Sequence, residues 1–353
     1  LIGLLFSKQI FVLAGHPEEV QKMERLYFSI LCYGSIFHIA MSTLSTFFTG
    51  RGITRPVMII TLVGVVINIP LDFVLIFGKC GFPELGIAGA ALATVTAWVI
   101  NTVLLAILVF TRKNNQEFQL LTNYKFDKDL FSRLMRYGVP GAMQFTIDIL
   151  AFTFFILMVG RIGKAELAAT NIALSINSLA FMPSMGASQG ISVLVGQALG
   201  KRKPKHASLY IRSCTHLLLG YIFVVDCLFI LFPDVILGLF LHSNSTDSAS
   251  ITVFYYSKTL LNIVCAYLFF DSLYMIYSGA LRGAGDTKFM MLAMGSAGIC
   301  CLIIPTYLSI EYFKMGVTSA WLWIVFFIFI LFLLSGLRLR GGKWKKMLVI
   351  EDN

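Results

Sequence analysis

The sequence predicts an all-α polytopic membrane protein built from two helical lobes. Three observations predict it. Of 353 residues, 58% are hydrophobic and only 13% are charged, whereas a soluble domain carries about 25% charged residues. A globular core cannot hide so much apolar side chain, so lipid must be the solvent. Nine stretches are long and apolar enough to cross a bilayer, which takes about 20 residues of helix. The third observation is an internal repeat, offset by 233 positions. Together these exclude a soluble enzyme, a DNA-binding domain and a secreted disulfide scaffold for the chain as a whole.

The spans are expected at 25–48, 54–78, 86–110, 139–160, 165–198, 206–232, 252–281, 288–310 and 316–337. Residues 1–14, already apolar from Leu1, read as the tail of a further helix whose beginning is missing. Pro56, Pro140 and Pro204 fall where first-turn prolines belong, because that position needs no amide donor. The stretch 165–198 exceeds one span and contains Pro183, Gly186 and Gly190; a bend or partial break is expected there. Gly186, Gly190, Gly196 and Gly200 form GxxxG spacings that suggest close helix packing. Between spans three and four, RKNNQEF is polar, and FDKDLFSRLMRYG then resumes helical spacing. Phe126, Leu130, Phe131, Leu134 and Tyr137 share one face, the pattern of a helix lying on the membrane surface. The organisation expected is therefore 1–110 as the first lobe, 111–138 as a connector with an amphipathic helix, 139–338 as the second lobe and 339–353 as a basic tail.

The net charge is +10, from 28 Lys and Arg against 18 Asp and Glu. In a membrane protein that excess reports orientation rather than nucleic-acid binding, and no nucleic-acid partner is expected. Alternate connections collect 20 of the basic residues on one side and 8 on the other. The richer side should be cytoplasmic and includes the C-terminus, where LRLRGGKWKK can meet anionic lipid headgroups. The seven cysteines show no CxxC pair, and Cys32, Cys214, Cys227, Cys265, Cys300 and Cys301 lie in apolar runs, where they read as small buried hydrophobes.

The repeat aligns FTGRGITRPVM (48–58) with LRGAGDTKFMM (281–291). Gly50, Gly52, Thr54 and Met58 fall on Gly283, Gly285, Thr287 and Met291. Both copies follow an outside-to-inside helix, so the repeats run parallel, and a duplicated bundle of this kind is a transporter architecture.

Ionisable groups in hydrocarbon cost several kcal/mol and mark pathways. Asp72, Asp148, Asp226 and Asp271 qualify, with His38 and His216. Asp271 has Tyr267 one turn earlier on the same helix face, a carboxylate and a phenol suited to a hard monovalent cation or a proton. Asp148, on the helix opening the second lobe, becomes the other half of such a site if the two helices meet. Asn68 and Asp72 share a face with Pro70 between them, which would free a carbonyl for a cation. Asp226, near the end of its helix, reads as reaching the headgroups. His38 and His216 read as packed imidazoles. Phe145, Phe152, Phe181, Tyr267 and Phe270 are candidates to line a cavity for flat cations. There is no GxxxxGK[ST] loop, no HExxH and no nucleophile elbow. ATP hydrolysis and covalent catalysis have no support, an enzyme is not expected, and energy would come from an ion gradient.

At LRGAGDTK, at GKAELAATNIALSINSLAFMP with GISVLVGQALG, and at GRGITRPVMIITLVGVVINIP, the chain resembles the multidrug and toxic compound extrusion (MATE) family, and most its NorM-like branch. The resemblance covers residues 1 to about 340. It implies twelve helices in two six-helix lobes, of which this chain holds the end of the third and then helices four to twelve. It implies export of organic cations and other amphipathic drugs in exchange for Na⁺ or H⁺, with no cofactor, in a cytoplasmic membrane, by a monomer surrounded by lipid. It places Asp148, Tyr267 and Asp271 at a second-lobe cation site, Na⁺ included. Asn68 and Asp72 match the helix-five part of a first-lobe site whose helix-one acid is absent here. The alternative kept beside it is a flippase for lipid-linked oligosaccharide, although the embedded acids suit a pyrophosphate poorly.

Overall fold

In lipid every backbone N–H and C=O must be bonded within its own segment, so an apolar run of spanning length has one solution, the helix. The computed structural model describes residues 17–121, 126–240 and 248–347. Among these, all nine expected spans are helices and no strand occurs. The run at 1–14 lies outside the described residues, as does the end of the basic tail.

The chain divides into two compact units, Leu1–Phe126 and Asp127–Asn353. In the first, α1 (Glu18–Thr49), α2 (Arg55–Phe77) and α3 (Ile87–Val109) are followed by the short α4 (Arg112–Phe118). α3 packs on both α1 and α2. Gly64 makes room for Asn101 of α3, whose amide occupies the space that a Cβ would fill. RKNNQEF is thus helical, started by the Thr111 side chain accepting from the Asn114 amide.

The second unit contains α5 (Lys128–Ile162), α6 (Lys164–Gly200), α7 (Pro204–Leu231), the short α8 (Pro233–Gly238), α9 (Ser248–Gly283), α10 (Thr287–Tyr312) and α11 (Val317–Arg340). α9 is its axis, packed on α6, α7 and α11, and the most buried of the spans. Leu217, Phe223 and Leu231 of α7 are each about 70% exposed, the lipid-facing surface that the composition requires.

Three local expectations fail. Pro140 lies well inside α5 rather than in its first turn. The helix begins instead at Asp127, whose carboxylate accepts from the Asp129 and Leu130 amides. The amphipathic segment and the span are therefore one 35-residue element. α6 continues without a break through Pro183, Gly186 and Gly190. The irregular helix is α10, where residues 298–303 and 308–312 widen into π turns on either side of Pro305, as a missing amide donor in a ladder permits.

Of the four α6 glycines expected at a close contact, only Gly196 makes one, with the Gly283 carbonyl of α9 where a Cβ would stand. Gly186, Gly190 and Gly200 face open space. The close crossing belongs to Gly279 and Gly283, where a Cβ would strike the carbonyl oxygens of Ser188 and Ser192 on α6.

The repeat is visible in the backbone. Gly52 and Gly285 adopt φ 77° and 86°, a conformation that side chains with a Cβ rarely enter. Gly52 N–H donates to the Thr49 carbonyl and Ile53 N–H to that of Phe48; Gly285 and Asp286 donate to Arg282 and Leu281 in the same way. Each pair is offset by 233 positions.

Candidate functional site

α9 presents one polar face to the interior of the second unit. Tyr267, Asp271, Tyr274, Ser278 and Arg282 recur every three or four residues, the spacing that aligns side chains on a helix. α5 faces it with Gln144 and Asp148, and α6 with Asn177, Phe181 and Ser188.

Two adjoining cavities lie along this face. The first, about 290 Å³, is lined by Asp148, Asn177, Phe181, Tyr267, Asp271 and Tyr274, among others. The second, about 180 Å³, is lined by Gln144, Phe145, Asp148, Ser188, Tyr274 and Arg282, among others. They share Asp148, Phe181, Tyr274 and Met275, so one polar track runs along α9.

The acids here are not neutralised by bases. Asp271 is 2% exposed, and its Oδ2 has no hydrogen-bond partner. Asn177, 9% exposed, lines the same cavity and has an unpartnered Oδ1. Gln144 donates from Nε2 to Tyr274 Oη at 3.2 Å, leaving its own Oε1 without a donor. Oxygens left bare in a low-dielectric interior cost free energy until something electropositive reaches them. Two carboxylates, a phenol and an amide oxygen make a hard-donor set. No group of three or more His, Cys, Asp or Glu suited to a metal ion occurs among the described residues.

The structure thus brings Asp148, Tyr267 and Asp271 to one cavity. Phe145, Phe152, Phe181 and Tyr267 do line the cavities; Phe270 instead packs against Phe329, with ring centroids 5.0 Å apart. Asn68 and Asp72 lie on α2 of the other unit, both half-buried, with Asn68 Nδ2 unpartnered and Pro70 inside an unbroken helix. Asp226 is not among the residues lining either cavity. His38 packs on Trp98, centroids 4.8 Å apart, whereas His216 is exposed rather than packed in a core.

Sequence reasoning missed Asn177, Gln144, Tyr274 and Arg282. The signal for Tyr274 and Arg282 was present, since both continue the 267–271 face. Asn177 and Gln144 carry no charge and stand out only once the neighbouring helices are in place.

The MatE family model matches residues 1–74 and 140–308. A probable multidrug resistance protein NorM of Thermotoga maritima is 30% identical over 338 residues, covering 94% of this chain and 70% of that protein. The multidrug resistance protein NorM of Vibrio cholerae is 27% identical over 288 residues, covering 81% of this chain and 62% of that protein. The chain thus spans about two thirds of the length of these relatives. Among solved structures, a multidrug resistance MATE family transporter of the MOP superfamily, in an outward-facing conformation, superposes with TM-score 0.87. It is 19% identical, with 98% of this chain and 75% of that one covered. A MOP superfamily transporter from Pyrococcus furiosus gives TM-score 0.86 at 19% identity, covering 97% and 75%.

Proposed function

This chain belongs to the MatE family of multidrug efflux transporters, and from that membership we propose that it is a cation-coupled antiporter. It exports organic cations and other amphipathic drugs across a cytoplasmic membrane by alternating access, in exchange for Na⁺ or H⁺, and needs no cofactor beyond that ion. The observation that carries the reading is the unpartnered Oδ2 of Asp271, buried in a cavity shared with Asp148, Tyr267 and Asn177.

The exchange follows from electrostatics. Two carboxylates facing one cavity repel each other, and the cost falls when positive charge arrives. A coupling cation and a drug cation offer the same relief, so occupancy by one disfavours the other. Aromatic walls at Phe152, Phe181 and Tyr267 add an apolar and cation–π surface for a flat organic cation, which a small ion does not use. Release of one ligand and capture of the other at opposite faces is antiport. Asn68 and Asp72 on α2 are proposed to add a second coupling position in the first unit.

The test is Asp271→Asn, which keeps size and removes charge. Membrane insertion and yield should stay normal, while ethidium efflux driven by a Na⁺ or proton gradient is lost. Efflux at the wild-type rate under the same gradient would make Asp271 structural and remove the basis of the reading.

A further inference from the structure

A separate cavity of the second unit lies away from the polar track. It is a crevice of about 440 Å³ at the end of α11, with Phe332, Leu333, Gly336 and Leu337 of that helix in its wall beside Ile211 of α7 and Tyr277 of α9. None of its lining residues lines either cavity described above. Leu333 and Leu337 are 38% and 63% exposed, and they sit on a helix of spanning length. Hydrocarbon therefore reaches this wall when α11 crosses the bilayer.

The rim is basic. Arg340, the last residue of α11, lines the crevice together with Lys345. The helix stops at Gly341 and Gly342, the latter at φ 69°, and the chain continues into a single 3-10 turn, Lys343–Lys346. Trp344 anchors that turn. It is 2% exposed, and its Nε1 donates to the Leu339 carbonyl at 2.8 Å. Lys345 Nζ lies 5.7 Å from the indole centroid. The turn is thus fastened to the end of α11 and keeps Lys345 at the crevice, while Lys343 and Lys346 are not among the lining residues.

These two charges have no ion-pair partner among the described residues. Arg338 donates to Asp286, and the other ion pairs there engage Arg161, Lys258 and Lys314. Two cations beside an apolar wall suit a ligand that is anionic at one end and apolar at the other. A soluble anion would leave the wall bare, and a zwitterionic lipid would bring its own cation to a basic rim. Basic pockets between helices at the membrane surface hold anionic headgroups in this way, and the volume falls in the range of pockets that take small molecules. A loose basic tail could meet headgroups anywhere on the surface; a fastened turn over a crevice selects one lipid.

We propose that the end of α11 binds a single anionic phospholipid, its phosphate between Arg340 and Lys345 and an acyl chain along Leu333 and Leu337. The site does not depend on the export reading.

The test uses the purified chain, delipidated in a nonionic detergent, with phosphatidylglycerol, phosphatidylcholine of the same acyl chains, and glycerol 3-phosphate as probes. Native mass spectrometry counts bound lipid, and the melting temperature reads its effect. The wild type should retain one phosphatidylglycerol in preference to phosphatidylcholine and melt higher with it, while glycerol 3-phosphate does nothing. Arg340→Gln with Lys345→Gln should weaken phosphatidylglycerol binding about tenfold or more. Lys343→Gln with Lys346→Gln removes the same charge from the same turn and should change binding less than about twofold. Equal losses in the two double variants would reduce the tail to diffuse surface charge, and no loss in the first would leave the rim without a ligand; both overturn the site. So would equal retention of phosphatidylcholine, which makes the crevice merely apolar, or equal stabilisation by glycerol 3-phosphate, which makes it a free-anion site. The comparison of probes on the wild type needs no variant, so the proposal stands or falls even where a double variant fails to fold.

Discussion

A carboxylate that is 2% exposed, with one oxygen unpaired, is an expense that a packing role does not explain. Replacing Asp271 by an apolar residue of similar size would be the cheaper way to fill α9. The same reasoning ranks its neighbours. Asp148→Asn should also abolish coupled efflux, though less completely, since Asp148 is only half-buried. Tyr267→Phe removes one neutral oxygen and should weaken coupling-ion affinity severalfold while sparing more transport. Asn177→Leu should do the same, because Asn177 lines the same cavity with its Oδ1 unpartnered; Na⁺-dependent thermal stabilisation of the purified protein reads both. Asp226→Asn should leave efflux nearly intact, as this side chain lines neither cavity, and full loss there would upset the ranking. The acids were legible in the sequence because a charge in an apolar run has no ordinary explanation. Asn177 and Gln144 were not, since uncharged amides are common in helices and acquire meaning only from the oxygens left bare beside them.

At the scale of elements, hydropathy placed all nine spans to within a few residues at most ends, because lipid imposes one length and one hydrogen-bonding solution. It failed where local rules compete with packing. Pro140 looks like a start but lies inside α5, since the Asp127 cap begins the helix earlier. Of the four glycines of α6 that looked like a contact surface, only Gly196 joins the crossing, opposite Gly279 and Gly283 of α9. Gly283→Ala should therefore destabilise the second unit by about 1–3 kcal/mol, the usual cost of overpacking, because the obstacle is the Ser192 backbone. Gly190→Ala, in open space, should be neutral or slightly stabilising through better helix propensity. Melting of the two variants in detergent distinguishes them, and equal melting temperatures would show that α6 and α9 can separate freely. A second brace joins α10 to α11, where Arg338 Nε donates to Asp286 Oδ2 at 2.7 Å and the guanidinium lies 4.8 Å from the Phe289 ring centroid.

For the whole molecule, orientation is predicted from charge. By the charge count, α4 and the last turn of α11 are expected on the side holding 20 of the 28 basic residues, and the turn after α2 on the other. Lys and Arg resist transfer across the bilayer, so the richer side is predicted to be cytoplasmic. The structure supplies a native reporter. Cys80 is exposed in the turn between α2 and α3, and all seven cysteines are free. Ser243, the other natural choice, lies outside the described residues. Only α3 separates Cys80 from Asn115 on α4, so the two must lie on opposite faces if α3 spans. With the other six cysteines removed, Cys80 should react with an impermeant maleimide added to intact cells. Asn115→Cys in a background without native cysteines should react only after the cells are opened. The reverse pattern would invert the predicted topology and put the basic tail outside, against the charge count. Labelling of both positions from outside would mean that α3 does not span at all, against its 23 apolar-rich residues and about 35 Å of helix, enough to cross the hydrocarbon.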